Sequence, residues 1–253
     1  MSDSNYKLET RNITKSFGQT LVLRGISLKL NQGEMLGILG DNGAGKSTLM
    51  KILSGFQQQT TGELVIDGTP VRLNSVDHAR SFGIECVYQD LALVNSLPVY
   101  LNMFLNREIR YGWPIPTLNH RRMRERAAAA LADIGVNVPS MDIEVGSLSG
   151  GQRQAIAIAR AVASNARILL LDEPLAAMGA REAGLIIDLI ERLKARGDIS
   201  MIMIAHNYMQ TLDVANHIIM VQRGTITFEG RSADTSVTEL LEIVRREYKA
   251  EAA

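Results

Sequence analysis

Three short stretches of the chain are apolar throughout. Met35-Leu36-Gly37-Ile38-Leu39, Ile168-Leu169-Leu170-Leu171 and Met201-Ile202-Met203-Ile204 contain no polar side chain. Each is closed by polar or glycine-rich sequence. Runs of this length predict strands covered on both faces, as in a parallel sheet. Residues 8–13 and 26–30 instead alternate apolar and polar positions, which predicts strands of a half-exposed sheet. Between them Lys15-Ser16-Phe17-Gly18 predicts a turn, and Asn31-Gln32-Gly33 turns into the first apolar run. Glu63-Leu64-Val65-Ile66 runs into Asp67-Gly68, a hairpin signal. Ile84-Glu85-Cys86-Val87-Tyr88 predicts a strand that ends at Gln89-Asp90.

Helical spacing dominates from there. Residues 91–116 are broken by Pro98, Gly112, Pro114 and Pro116, and residues 119–134 predict a helix. Its basic start, His120-Arg121-Arg122-Met123-Arg124-Glu125-Arg126, predicts a solvated face, with contact to headgroups or a partner as the second reading. Ser147-Leu148-Ser149-Gly150-Gly151-Gln152 opens a helix that runs through Val162, and residues 180–196 predict another. Two strands, 217–222 and 225–228, flank Arg223-Gly224, and a polar helix is expected over 237–248. No repeat or low-complexity linker appears. The pattern is α/β, with short antiparallel strands in the first third and a helical insertion over about 91–160.

At 253 residues the chain is one large domain or two small ones. Lys and Arg total 27 and so do Asp and Glu, so there is no basic excess and nucleic acid is not an expected partner. Met1-Ser2-Asp3-Ser4-Asn5 is polar and is no secretory signal. No apolar run approaches the roughly 18 residues that cross a bilayer. The expectation is a soluble chain, or one held to a membrane through a partner. The single cysteine, Cys86, excludes an intrachain disulfide, suits the cytosol and is expected to be inert in its strand.

The chemistry centres on Gly40-Asp41-Asn42-Gly43-Ala44-Gly45-Lys46-Ser47-Thr48, set between the first apolar run and Leu49-Met50-Lys51-Ile52-Leu53. Strand, glycine loop and helix form the setting of a phosphate-binding loop. Gly40, Gly43 and Gly45 let successive N–H groups point inward, and the helix start adds free donors and a favourable dipole. Lys46 supplies a charge for the β- and γ-phosphates, Ser47 a hydroxyl for Mg²⁺, and Thr48 a contact to an α-phosphate oxygen. Phe17, beside a glycine, reads either as core packing or as a platform for an adenine ring. Ser149 occupies an N-cap position next to two glycines, a second helix start built to face an anion but with no lysine of its own. Asp172 and Glu173 close a central strand, where α/β sheets bind ligands. Asp172 is expected to hold Mg²⁺ and Glu173 to polarise an attacking water. His206 ends another apolar strand and is expected to face the γ-phosphate. His78, His120 and His217 lack such a setting and read as structural.

In this order the motifs resemble the ATP-binding subunit of an ABC transporter over residues 8–230. Walker A is 40–48, the Q-loop carries Gln89, the signature is Leu148-Ser149-Gly150-Gly151-Gln152, Walker B ends at Asp172 and the switch histidine is His206. The resemblance implies a P-loop NTPase (RecA-like) core with an antiparallel β subdomain and an inserted helical subdomain. It implies one domain over 6–246, with core and β subdomain at about 6–90 and 163–246 and the helical subdomain at about 91–162. Glu173, His206, Gln89 and Lys46 would act in catalysis. Phe17, Val22, Gly40, Asn42, Gly43, Ala44, Gly45, Lys46, Ser47, Thr48, Ser149, Gly150, Gly151 and Gln152 would bind ATP. Ser47, Gln89 and Asp172 would hold Mg²⁺.

Two such subunits, expected here as a homodimer, would pack head to tail, with the signature of each covering the ATP of the other. Hydrolysis would open the dimer and move a membrane permease docked near residues 89–95, with a solute-binding protein as an indirect partner. The expected location is the cytoplasmic face of the inner membrane. Phe17 replaces a more frequent tyrosine, Leu175 a usual threonine, and Gly179 a usual D-loop aspartate. Val87-Tyr88-Gln89-Asp90-Leu91-Ala92-Leu93-Val94 and Met178-Gly179-Ala180-Arg181-Glu182 are similar to the monosaccharide importers, and Ser149-Gly150-Gly151-Gln152-Arg153-Gln154-Ala155 agrees with them. The alternatives are an ABC ATPase of another transport class or an exporter, a soluble ABC ATPase acting on DNA or ribosomes, and a non-hydrolysing scaffold suggested by Gly179.

Overall fold

The alternating stretches at the start of the chain pair with each other. In the computed structural model, which describes residues 6–112, 117–176 and 178–251, strand β1 (Tyr6–Phe17) runs antiparallel to β2 (Thr20–Asn31). The turn between them is Gly18-Gln19, tighter and later than the sequence predicts. Lys15, Ser16 and Phe17 stay in the ladder, opposite Leu23, Leu21 and Thr20, and Gly18 takes φ +57° to reverse the chain. Strand β3 (Met35–Leu39) follows, then helix α1 (Lys46–Leu53), β4 (Thr61–Ile66) and β5 (Thr69–Val71). The β4–β5 hairpin closes on Asp67-Gly68 with φ +47° and +75°, the paired left-handed residues that two-residue hairpins require. Lys7 reaches across to the Asp67 carboxylate at 2.9 Å.

Helix α2 (Val76–Ser81) has no apolar stripe, so the sequence pattern does not predict it. Its start is fixed by Ser75, whose hydroxyl accepts from the His78 amide at 3.0 Å. Strand β6 (Ile84–Val87) leads into helices α3 (Val99–Met103), α4 (His120–Asp133) and α5 (Gly150–Val162). Pro98 takes the N-cap position of α3, and Asn119 caps α4 by accepting from the Arg122 amide at 3.0 Å. The breakers Pro114 and Pro116, like Met1-Ser2-Asp3-Ser4-Asn5 and Ala177, lie outside the described residues. The chain then alternates through β7 (Ile168–Asp172), α6 (Ala180–Arg196), β8 (Ser200–Ile204) and α7 (Tyr208–Val214), and ends in β9 (His217–Gln222), β10 (Thr225–Arg231) and α8 (Val237–Glu251).

Among the described residues two sheets form. One is antiparallel, in the order β2-β1-β4-β5; the other has the order β10-β9-β3-β8-β7-β6. In the second, β9, β3, β8, β7 and β6 are mutually parallel, and β10 alone runs against its neighbour. The parallel sheet explains the uninterrupted apolar runs, because alternate residues serve two different cores. Leu169, Leu171, Met201 and Met203 face the helical side, with Ile156, Ile158, Ile186 and Ile190 of α5 and α6. Ile168, Leu170, Ile202 and Ile204 face the other side, with Leu49 and Ile52 of α1 and with Leu28 and Leu64 of the antiparallel sheet. A strand covered twice has no position for a polar side chain until it ends. The polar residues therefore gather at the strand ends, and in parallel strands those ends share one edge.

Candidate functional site

That shared edge gathers the candidate residues. Registers pair Ile38 with Ile204, Leu171 with Met203 and Val87 with Leu171, so β3, β8, β7 and β6 end side by side. The residues that continue past those ends are Gly40, His206, Asp172 with Glu173, and Gln89. The sheet brings together on one rim what the sequence separates by up to 166 positions, from 40 to 206.

The 40–48 loop adopts the shape its glycines allow. Gly40, Gly43 and Gly45 have φ of +147°, +82° and +105°. At Gly43 nothing stands in the way of a side chain, so the demand is on the backbone alone. At Gly40 a Cβ would stand 2.1 Å from the Val221 carbonyl oxygen, and at Gly45 2.7 Å from Leu23 Cδ2. Gly40→Ala combines a forbidden φ with a clash against backbone, and is expected to cost about 3 kcal/mol of stability in a denaturant titration. The loop is tied outward as well. The Ala44 carbonyl accepts from the Gly224 amide at 2.9 Å, and the Gly224 carbonyl accepts from the Arg24 amide at 2.8 Å. The turn between β9 and β10 thus clamps the loop against β2.

Lys46 is buried in this loop. Its Nζ donates to the carbonyls of Gly40 at 2.6 Å and Asp41 at 2.9 Å. Burial lowers its pKa from the ordinary lysine value, against the opposing pull of Glu173, Asp41 and Asp172. Asn42, Gly43 and Ser47 are exposed, Thr48 is half-buried and Ala44 is buried. The ammonium is folded back on the cradle, while Ser47, at the start of α1, is exposed.

Asp172 is the last residue of β7, and burial first, then the adjoining Glu173 charge, raises its pKa. Glu173 turns off the strand with φ +52°, its amide still donating to the Ile204 carbonyl at 3.0 Å. A left-handed residue with a Cβ is strained, and the strain aims its carboxylate back across the rim. There Oε1 meets His206 Nε2 at 2.5 Å. The sequence gives these two residues separate places; the structure makes them a hydrogen-bonded pair.

Gln89 is exposed in the turn after β6, and Tyr88 beside it donates from its hydroxyl to Ser54 Oγ at 3.3 Å, beyond the end of α1. The next residues, Leu91 and Ala92, both have positive φ, +59° and +46°. The guanidinium of Arg160, on α5, donates to their carbonyls at 2.9 and 2.8 Å. Nothing in the local sequence marks Arg160 for this task. Phe17 is 46% exposed at the end of the β1–β2 hairpin, with Lys15 Nζ 5.0 Å above its ring centre. It is therefore not a core residue. Val22, on β2, is half-buried, and its carbonyl lies 3.4 Å from where a Cβ of Gly45 would stand.

The 149–152 turn stands apart. Ser149 caps α5 by accepting from the Gln152 amide at 3.3 Å, and the Gln152 side chain accepts from the Ser149 amide at 3.1 Å, a reciprocal capping box. The Gly151 amide donates to Glu182 Oε1, on α6, at 3.3 Å. Among the described residues the hydrogen bonds of this turn stay within α5 and α6, and none runs to residues 40–48 of the same chain. The sequence alone does not single out Glu182. The available signal is its place in the first turn of a helix whose N-cap, Gly179, has no side chain.

The other histidines keep to structure. His217 Nδ1 pairs with the Glu34 carboxylate, His120 Nδ1 with the Tyr100 hydroxyl at 3.0 Å, and His78 lies against the Phe82 ring at 5.3 Å. Cys86 is half-buried rather than fully enclosed, but burial pushes its thiol up to about 12, which leaves it protonated and unreactive near neutrality. Among the described residues no three His, Cys, Asp or Glu side chains form a metal cage. A hydroxyl at Ser47, an amide oxygen at Gln89 and a carboxylate at Asp172 form a sparse set of hard oxygen donors. Such a set fits a magnesium ion that takes its remaining ligands from water and phosphate. Among the described residues no helix is long and apolar enough to cross a membrane.

The same architecture recurs in solved structures. An ATP-binding cassette of an ABC transporter in its ADP conformation superposes with a TM-score of 0.78 at 28% identity, covering 93% of this chain and 98% of its own. A dimeric post-hydrolysis cassette bound to ADP and Pi gives a TM-score of 0.73 at 26% identity, covering 89% of this chain and 98% of its own. Among curated relatives, the xylose/arabinose import ATP-binding protein of Sulfolobus acidocaldarius is 44% identical over 94% of this chain and 93% of its own length. The fructose import ATP-binding protein of Rhizobium meliloti is 38% identical over 83% of both chains. The ribose import ATP-binding protein of Lactococcus lactis is 36% identical over 93% of this chain; the chain spans only about half of that relative, 47%. The family model described as ABC transporter matches residues 23–176. With these matches on an α/β fold that carries its phosphate loop, strand-end carboxylates and histidine on one sheet rim, the chain belongs to the ABC transporter family, among its ATP-binding subunits.

Proposed function

We propose that this chain hydrolyses ATP in a two-chain assembly that drives monosaccharide uptake through a membrane permease. One observation carries the catalytic part: four neighbouring parallel strands deliver Gly40, His206, Asp172 with Glu173, and Gln89 to one rim. The 40–48 loop and Lys46 hold the β- and γ-phosphates, with Phe17 and Val22 beside the base and sugar. Ser47, Gln89 and Asp172 would hold magnesium, which would neutralise phosphate charge. Glu173 accepts a proton from the attacking water. His206 holds the Glu173 carboxylate in the free chain and reaches the γ-phosphate when nucleotide is present. Lys46 must then leave the Gly40 and Asp41 carbonyls for phosphate oxygens, which exchanges two neutral acceptors for charged ones. The 149–152 turn bonds to α5 and α6 and, among the described residues, not to the 40–48 loop of its own chain, and the similar cassette bound to ADP and Pi is dimeric; both support a second copy supplying the phosphate. The names of the relatives support a pentose or hexose as the cargo.

Purified protein is expected to release phosphate from Mg-ATP, with a specific activity that rises with protein concentration and vanishes in EDTA. Specific activity independent of protein concentration would overturn the two-chain arrangement. The cargo is read separately, as cellular uptake of labelled xylose, arabinose, ribose and fructose. Loss of uptake of one of these on deleting the gene is expected, and unchanged uptake of all four would remove the assignment.

A further inference from the structure

The signature turn already holds an anion. Its Gln152 amide is taken by Ser149 and its Ser149 amide by Gln152, which leaves the Gly150 and Gly151 amides as the donors of the helix start that the capping box does not use. Of these, Gly151 donates to Glu182 Oε1 at 3.3 Å. The Gly151 amide, then the Ser149 hydroxyl, with the Gly179 and Gly150 amides behind them, hold the Glu182 carboxyl below the ordinary glutamate pKa. The fit is close. A Cβ at Gly151 would stand 3.0 Å from Glu182 Cβ, and one at Gly150 3.7 Å from both carboxylate oxygens. Gly151 is what allows α6 to bring this side chain in; a Cβ at Gly150 would make only ordinary contact with it. One carboxylate therefore serves the starts of two helices, α5 and the α6 whose N-cap, Gly179, has no side chain to offer.

A γ-phosphate from a second chain would need the same donors. A carboxylate oxygen and a phosphate oxygen are both anionic, and they repel when brought to one N–H group. We infer that Glu182 is a positioning residue, an internal anion that holds the signature turn in the separated chain and gives up the Gly151 amide to the partner's nucleotide, thereby setting the ATP concentration at which two chains close. This rests on the two-chain reading above. Glu182 lies outside the phosphate loop, so it acts on closure and not on the first binding of ATP.

The test uses Glu173→Gln protein, in which hydrolysis is blocked, with Glu182→Gln or Glu182→Ala added. The ATP concentration for half-maximal dimerisation is read by light scattering, and the affinity of the dilute, separated chain by a fluorescent ATP analogue. Removing the charge should lower the half-dimerisation concentration about fivefold for E182Q and at least as far for E182A, with the dilute-chain affinity unchanged. E182Q keeps the shape and one acceptor, so it carries the test should E182A fail to fold. An unchanged or raised half-dimerisation concentration overturns the inference, the latter by showing that Glu182 orders the turn for phosphate. Absence of any ATP-dependent dimer in E173Q alone is a distinct result: it overturns the two-chain reading, and this inference with it.

Discussion

Glu173→Gln should release phosphate about a thousandfold more slowly than the parent chain while still binding ATP and eluting, with ATP, at about twice the mass of the free chain. The expected split between binding and turnover comes from where Glu173 sits. It is not part of the 40–48 loop, and its amide, which an amide side chain leaves untouched, fixes the turn by donating to Ile204 at 3.0 Å. The substitution keeps the shape and leaves an oxygen to accept from His206. What it removes is a basic carboxylate, and a general base is worth about a hundredfold to ten-thousandfold in rate. It also removes one negative charge from a rim that already holds Asp172 and that must receive a triphosphate. Nucleotide affinity should therefore hold or rise. Sizing chromatography with and without ATP, beside a phosphate-release assay, checks both halves. Turnover within tenfold of the parent would move the proton acceptor elsewhere on the rim.

Lys46→Met is the second large effect and has the opposite shape. Nucleotide binding and turnover should both fall, turnover by about a hundredfold to a thousandfold, the range for removing one preorganised donor at a charge-developing site. The fold should not weaken in step. The folded protein holds this ammonium buried against two carbonyls, and its pKa lies below the ordinary lysine value because of that burial. A lysine with a lowered folded pKa works against folding at every pH below its ordinary range, where the unfolded chain keeps it fully charged. Methionine fills the same volume without that cost. The unfolding temperature of K46M at neutral pH is expected to equal or exceed the parent's in a calorimetric scan without nucleotide. A clear drop would mean that the two carbonyl bonds outweigh the desolvation. Lys46 would then be a stability device whose removal misfolds the loop.

Most of the architecture is legible in the sequence because the parallel strands announce themselves. Doubly covered strands permit no polar side chain, so Ile168-Leu169-Leu170-Leu171 and its neighbours stand out, and the polar residues just past each strand are exposed by contrast. The helix bounds 180–196 and the cap at Ser149 are legible for a related reason, that a side-chain cap and a glycine stop are local chemistry. Helices α2 and α7 are not. Ser75 and Asn207 cap them, but both helices are short and carry little apolar periodicity, so a cap alone does not mark them and the packing of Ala79, Thr211 and Val214 holds them in place. The turn that the sequence predicts at residues 15–18 starts too early because ladder pairing extends β1 beyond its alternating stretch. In the site, the members are readable one by one, but their relations are not. The Glu173–His206 bond and the Glu182–Gly151 bond join residues 33 and 31 positions apart, and only the folded chain brings them together.

The clamp at Gly224 has a consequence for how the protein is made. The Ala44 carbonyl waits for an amide 180 residues downstream, and the Gly224 carbonyl in turn anchors Arg24. A ribosome that has translated only the first half of the message has produced every side chain of the phosphate loop but none of its outer brace. Nascent chains stalled before codon 224 should be unable to retain nucleotide, whereas chains released soon after it should capture ATP as they emerge.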